Sequence, residues 1–244
     1  MNTPYKMIVF DAGGTLVSAD WPHVTQDLAA VARELGLAVD PAAVMTGLRR
    51  VWDDVLAGRT PDSAHSREAV TAFWTNTLAR SLTLAAGLPT PADGGRYDPR
   101  AWDAARSFYP TFDGGGYHRL IEGTVETLQT LKKACYRLAL LSNWSPKLPQ
   151  VLERLDIHHY FEFVLVSAVV GLAKPDPAIF DLAVQRSGCR ADELLYVGDS
   201  PAADIAGSRA AGWDAVLIAT RHTDAVVPLK VRSLTELPRL LGVV

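Results

Sequence analysis

Cysteine is scarce in this chain: two in 244 residues, Cys135 and Cys189, far apart, without a Cys-x-x-Cys or a neighbouring histidine. That excludes a disulfide-stapled fold and a thiolate metal site, and it fits reduced thiols in a cytoplasmic protein. Long hydrophobic runs are missing too. The longest, such as Phe163 to Val170, fall far short of the roughly 20 apolar residues that cross a bilayer. Met1 to Met7 does not read as a signal peptide. Neither sign of charge dominates: 24 Lys and Arg stand against 27 Asp and Glu, a formal net charge of -3. No basic field is present to draw nucleic acid or an anionic membrane, so neither is expected as a partner. What is there, 48% hydrophobic and 21% charged residues, is the make-up of a globular chain long enough to bury its own core.

Two textures divide the chain. From Asp20 to about Asp113 the apolar residues recur at helical spacing. Val24, Leu28, Val31 and Leu35 form one run, started by Asp20 and Pro22 and ended by Gly36. Val44, Leu48, Val51 and Val55 form a second, Val70 to Leu82 a third, and Trp102 to Tyr109 a fourth. No strand is expected there, and the Gly- and Pro-rich stretch 90–99 reads as a loop. From Tyr117 onward, helices alternate with continuous apolar strands: "YRLALLSN", "FEFVLVSA", "ELLYVGDS" and "DAVLIAT". Such strands, apolar on both sides, predict a parallel sheet covered by helices on both faces. The opening stretch Lys6 to Asp11 has the same character and joins that sheet. The expectation is an α/β, doubly wound core of residues 1–17 and 117–244, with residues 18–116 inserted as a helical lid.

In open parallel sheets, ligands bind beyond the carboxyl ends of the strands. The first strand delivers Asp11, followed by Gly13, Gly14 and Thr15; the next delivers Ser142 and Asn143. Lys174 follows the third, and the fourth delivers Asp199, with Asp204 five residues on. Carboxylates crowded together need a cation between them, and Mg²⁺ suits hard oxygen ligands. A phosphoryl group needs positive charge and aligned donors, which Lys174, Ser142 and the backbone N–H groups of the glycine turn can supply. Asp11 is then placed to attack phosphorus and form an aspartyl-phosphate, with Lys174 keeping it ionised.

"DAGGTL", "LLSN", "KPDPAIF" and "VGDSPAADIAGSRAAG" resemble, in that order, the four motifs of the haloacid dehalogenase-like hydrolases, and the inserted block stands where that family carries a helical C1-type cap. The resemblance implies a Rossmann-like core, Asp11 as nucleophile, Ser142 as phosphate-binding hydroxyl, and Lys174 as the lysine of the site. It also implies Mg²⁺ held by Asp11, Asp199, Asp204 and the backbone carbonyl of Gly13. One departure stands out. Family phosphatases usually carry a second aspartate two residues after the nucleophile, which protonates the leaving group; this chain has Gly13. A positioned acid–base group contributes about 10²–10⁴-fold in rate, so the reading implies a slow phosphatase unless the lid supplies a substitute. Asp20, His23, His65 and Glu68 are its titratable candidates, with Asp20 and His23 nearest in sequence to the turn. An aspartate restored at position 13 is expected to raise the rate.

The leading expectation is a Mg²⁺-dependent phosphatase of a small phosphorylated metabolite, monomer or homodimer, with Gly14, Thr15, Ser142, Asn143 and Lys174 on the phosphate. Two alternatives stay open. A 2-haloacid dehalogenase would use the same aspartate on carbon without metal, with Arg33 or Arg49 as the anion clamp. A catalytically weak protein would keep the phosphate and Mg²⁺ pocket for regulation. Trp21, Trp74 and Trp144 read as packing residues, and Asp176 as a helix cap.

Overall fold

The computed structural model describes residues 5–56, 65–90, 97–219 and 229–243. The chain divides into two compact units, Met1–Ser18 with Arg119–Val244, and Ala19–His118.

The first unit is built on six parallel strands: β1 (Met7–Phe10), β4 (Arg137–Ser142), β5 (Val164–Val166), β6 (Leu194–Gly198), β7 (Asp214–Ile218) and β8 (Lys230–Val231), in the order β5-β4-β1-β6-β7-β8. β1 is central, with Val9 in register with Ala139 on one side and Tyr196 on the other. Successive side chains of a strand point to opposite faces. Ile8, Phe10, Leu138, Leu140, Leu195 and Val197 therefore enter one core cluster, and Met7, Val9, Ala139, Leu141 and Tyr196 the other. The first cluster includes Leu128 and Leu131 of α5 (Thr124–Lys133) and Leu148 and Leu152 of α6 (Leu148–Arg154). The second includes Ile179, Phe180 and Ala183 of α8 (Pro177–Ser187). Fully burying such a side chain stabilises by about 1.5–3 kcal/mol, so the two faces hold the sheet rigid beneath whatever its strand ends carry. The fold is the doubly wound α/β arrangement that the apolar strands predict.

The second unit is helical: α1 (Trp21–Glu34), α2 (Pro41–Leu56), α3 (Arg67–Ala85) and α4 (Pro99–Asp113). Val24 and Leu28, Val44 and Leu48, Leu78 and Leu82, and Ala105 and Phe108 share its core. Asp20 starts α1 as the sequence suggests, its side chain accepting a backbone N–H of the first turn, and Ser66 and Asp98 do the same for α3 and α4. Most of the stretch 90–99 lies outside the described residues.

Three details depart from the expected elements. The strand in "FEFVLVSA" stops at Val166, and Ser167–Val170 turns into a short helix, α7. The links between units form a two-stranded ribbon, β2 (Val17–Ala19) with β3 (His118–Leu120), too short for periodicity to register. The helical segment after β6 opens as a wide π turn, Pro201–Ala206, before α9 (Gly207–Ala210).

Candidate active site

Asp11 ends β1 with its carboxylate almost fully buried, at 6% exposure. Ser142, at the end of neighbouring β4, donates to Asp11 Oδ1 at 2.8 Å. Lys174 Nζ donates to the same oxygen at 2.7 Å, to Asp204 Oδ1 at 2.6 Å and to the Tyr196 hydroxyl at 2.8 Å. An ammonium has three N–H donors, and these three acceptors use all of them. Both bonds to Asp11 end on Oδ1; among the described residues no hydrogen bond ends on Oδ2.

Asp199 leaves β6 beside them. Ligand oxygens of Asp11, Asp199 and Asp204 lie within 4.8 Å of one another. The glycines make this crowding possible. Gly14 has φ +78°, and a Cβ there would stand 2.1 Å from Asp199 Oδ2; a Cβ on Gly198 would stand 2.3 Å from Asp204 Oδ2. The π turn explains Asp204: Asp204 and Ile205 both donate backbone N–H groups to the Ser200 carbonyl, and Asp204 Oδ2 accepts the Ser200 N–H at 2.8 Å. Ser200 also caps the turn, its hydroxyl accepting the Ala203 N–H at 3.1 Å. The cap is therefore Ser200, and Asp199 is left for the carboxylate cluster.

Three carboxylates face one ammonium. Burial pushes Asp11 above the ordinary carboxylate range, with Lys174 opposing the rise and Asp204 adding to it. Asp199 is pushed up to about 8 by burial, then by Asp11 and Asp204, against the pull of Lys174. Burial alone would lower the Lys174 ammonium, but Asp11 and Asp204 outweigh it and hold it well above its usual value. This excess of negative charge fits a divalent cation with hard oxygen ligands. Among the described residues none of the hydrogen bonds of the glycine turn ends on the Gly13 carbonyl. Both oxygens of Asp204 already carry hydrogen bonds, so Asp204 fits the cation less directly than Asp11 and Asp199 do.

The other candidates divide. Asn143 is half-buried and faces Lys174 rather than offering its amide to a ligand: its Oδ1 accepts the Lys174 N–H and its Nδ2 donates to the Lys174 carbonyl, both at 2.9 Å. It positions the lysine. Gly14 does not offer its N–H to a phosphate, because it donates to the Val17 carbonyl at 2.9 Å. Thr15 is buried, and its hydroxyl has no hydrogen-bond partner among the described residues. In the helical unit, His23 Nδ1 lies 2.9 Å from Asp20 Oδ2 at the start of α1, while His65 and Glu68 are exposed, as are Arg33 and Arg49. Asp176 caps α8, accepting the Ala178 N–H at 2.9 Å.

Two residues of the site escaped the sequence reading. Tyr196 lies in the apolar run of β6, fully buried, and its hydroxyl donates to the Leu141 carbonyl at 2.7 Å while accepting from Lys174. A phenol in a strand covered on both faces must find polar partners, and that was the available signal. Trp144 packs against the core as expected, but it also reaches the glycine turn: a Cβ on Gly13 would stand 3.2 Å from Trp144 Cζ3. An aspartate at position 13 therefore needs the indole edge to shift by a few tenths of an ångström.

A family model described as haloacid dehalogenase-like hydrolase matches residues 5–212. Haloacid dehalogenase-like hydrolase domain-containing protein 3 from Mus musculus is 29% identical over 214 residues, covering 88% of this chain and 82% of its own. Glyceraldehyde 3-phosphate phosphatase from Methanothermobacter thermautotrophicus is 39% identical over 108 residues, 44% of this chain and 48% of that one. Among solved structures, a 2-haloacid dehalogenase from Pseudomonas syringae matches at 25% identity and a TM-score of 0.61 over 98% of each chain. A putative hydrolase from Bacillus subtilis, solved bound to magnesium, shares the fold at a TM-score of 0.71 and 20% identity, over 98% of this chain and 99% of that one. The match over residues 5–212 shows that this chain is a member of the haloacid dehalogenase-like hydrolases.

Proposed function

We propose that this hydrolase is a Mg²⁺-dependent phosphatase of small phosphorylated compounds, working through an aspartyl-phosphate on Asp11. The observation that carries the reading is the cluster of three carboxylates around one ammonium: Asp11, Asp199 and Asp204 within 4.8 Å, with Lys174 bridging Asp11 and Asp204. Displacement at carbon needs the nucleophile and its lysine but not the further acids. Asp11, Asp199 and the Gly13 carbonyl would hold the ion, with Asp204 behind them. When bound, Mg²⁺ offsets the charge of the carboxylates and of the phosphoryl oxygens.

The chain's own groups do the rest. Lys174 and Ser142 fix Asp11 through Oδ1, so Oδ2 is the oxygen available to bond phosphorus. Asn143 holds the Lys174 backbone, which keeps the ammonium aimed at Oδ1. Water then attacks phosphorus, the bond to Asp11 breaks, and the carboxylate returns with release of phosphate. In this reading the helical unit is the cap and selects the substrate.

The test is p-nitrophenyl phosphate with Mg²⁺ or with EDTA. Turnover is expected with the metal and loss of turnover with the chelator; equal rates in both would overturn the metal requirement. The likeness to the Pseudomonas syringae dehalogenase supports a second reading, displacement of halide from a 2-haloacid. Steady chloride release from 2-chloropropionate in EDTA would reverse the ranking.

A further inference from the structure

Among the described residues, the groups that donate to Asp11 have no proton left for a substrate. Lys174 gives its three N–H groups to Asp11, Asp204 and Tyr196, Ser142 gives its hydroxyl to Asp11, and Tyr196 gives its own to the Leu141 carbonyl. One place beside the nucleophile where a further donor could stand is Gly13, and Trp144 lies against it, 3.2 Å from the position a Cβ would take. A side chain at Gly13 needs the indole edge to give by a few tenths of an ångström. The Trp144 ring packs against the sheet core, and the Trp144 backbone N–H donates to the Ser167 hydroxyl at 3.1 Å, on a residue with no exposure.

We propose that Trp144, wedged against the bare Cα of Gly13, determines specificity: it replaces a proton donor with an apolar edge and restricts the site to phosphoryl compounds whose leaving group departs as a stable anion. Acyl phosphates and aryl phosphates meet that requirement; phosphates of ordinary alcohols do not. The inference rests on the phosphatase reading above. In the first step Asp11 Oδ2 bonds phosphorus, and the bond from phosphorus to the leaving oxygen breaks with its electron pair. A carboxylate or phenolate leaves without taking a proton. In the second step water bonds phosphorus, the bond to Asp11 breaks, and both water protons leave with dihydrogen phosphate. The balance closes without an acid from the protein, at the expense of substrates whose leaving oxygen is strongly basic.

The experiment measures kcat/KM with Mg²⁺ for acetyl phosphate, p-nitrophenyl phosphate, phenyl phosphate and glycerol phosphate. It uses the native chain, Gly13→Asp, Trp144→Ala and the double variant, each with its melting temperature. For the native chain, rates are expected to fall steeply as the leaving group becomes more basic, with glycerol phosphate at least about 10²-fold below p-nitrophenyl phosphate. Gly13→Asp alone is expected to melt lower and to lose rate on every substrate, because the indole is in the way. Adding Trp144→Ala is expected to recover the melting temperature lost to Gly13→Asp and to raise turnover of glycerol phosphate about 10²-fold. Trp144→Leu replaces Trp144→Ala if the latter does not fold. Glycerol phosphate turned over within a few-fold of p-nitrophenyl phosphate by the native chain would overturn the inference and leave the phosphatase reading standing. So would a Gly13→Asp single variant that gains as much as the double. No turnover of any of the four compounds would overturn both.

Discussion

In the sheet unit charges are buried alongside hydroxyls; in the helical unit, among the described residues, the buried polar groups are hydroxyls, His118 apart. Asp11, Lys174 and Asp204 are each exposed by no more than 6% and meet one another at 2.6 to 2.7 Å. The buried hydroxyls of Thr25, Ser81 and Thr83 instead bond to carbonyls of their own helices, at 3.0, 2.7 and 2.8 Å. Two ion pairs of the helical unit, Arg80 with Asp54 and Arg100 with Asp98, keep their side chains partly in water. Its interior is aromatic: Trp74 lies 6.3 Å from Trp21, 5.9 Å from Trp52 and 5.0 Å from Phe112 between ring centroids. Replacing a buried ion cluster with well-packed apolar residues is often neutral or stabilising. The sheet unit therefore does not keep its cluster for stability, and that marks the cluster as chemistry. The helical unit buries apolar side chains and keeps its described ion pairs at least partly in water.

The comparison can be broken by substitution. The largest effect is expected from Lys174→Met, which strands Asp11 and Asp204 without their cation. Losing one partner of a buried pair costs about 3–5 kcal/mol, and turnover of p-nitrophenyl phosphate should vanish with it. Urea titration and a rate assay check both; a variant as stable and as active as the native chain would show that the charges are not coupled. Leu82→Ala opens a cavity in the helical core, where Leu82 is fully buried, at about 2–5 kcal/mol. Asn143→Ala removes the clamp on the Lys174 backbone, leaving its N–H and carbonyl without those partners, at about 1–3 kcal/mol. Its KM for p-nitrophenyl phosphate should hold while kcat falls. A rise in KM alone would return Asn143 to the substrate-binding role its position suggests.

Legibility from the sequence followed the same division. Asp11, Ser142, Lys174 and Asp199 could be placed together because strands apolar on both faces predict a parallel sheet, and such a sheet gathers what its strand ends carry. The four helices of the inserted unit were legible from spacing. The roles of neighbours were not. Asn143 follows Ser142 and looks like a ligand donor, but its amide closes on the Lys174 peptide, a pairing made across 31 residues that no local pattern reveals. Nothing near Gly13 in the sequence reveals that the Trp144 edge, 131 positions further along, stands 3.2 Å from where a Cβ would be. Tyr196 was hidden inside an apolar strand, and ribbon β2–β3 was too short to register.

The smallest expected effect sharpens the electrostatic half of the comparison. Burial, with Asp11 and Asp204 beside it, pushes Asp199 up to about 8 from an ordinary 3.8. The folded state therefore binds more protons than the unfolded state between those values, and stability must fall as pH rises through that window. The melting temperature of EDTA-treated protein should decline from pH 5 towards about 8, and added Mg²⁺ should oppose the decline by stabilising the ionised carboxylates. A melting temperature that climbs over the same range in EDTA would contradict the crowding of Asp199 with Asp11 and Asp204.

The central claim is that Asp11 bonds the phosphoryl group. Acid-quenching the native protein during turnover of p-nitrophenyl phosphate with Mg²⁺, followed by mass spectrometry of its peptides, tests it most directly. The account predicts one phosphoryl group on the peptide that carries Asp11, and neither adduct nor turnover in Asp11→Asn. Sustained turnover by Asp11→Asn, or a phosphoryl group trapped on another residue, would contradict it.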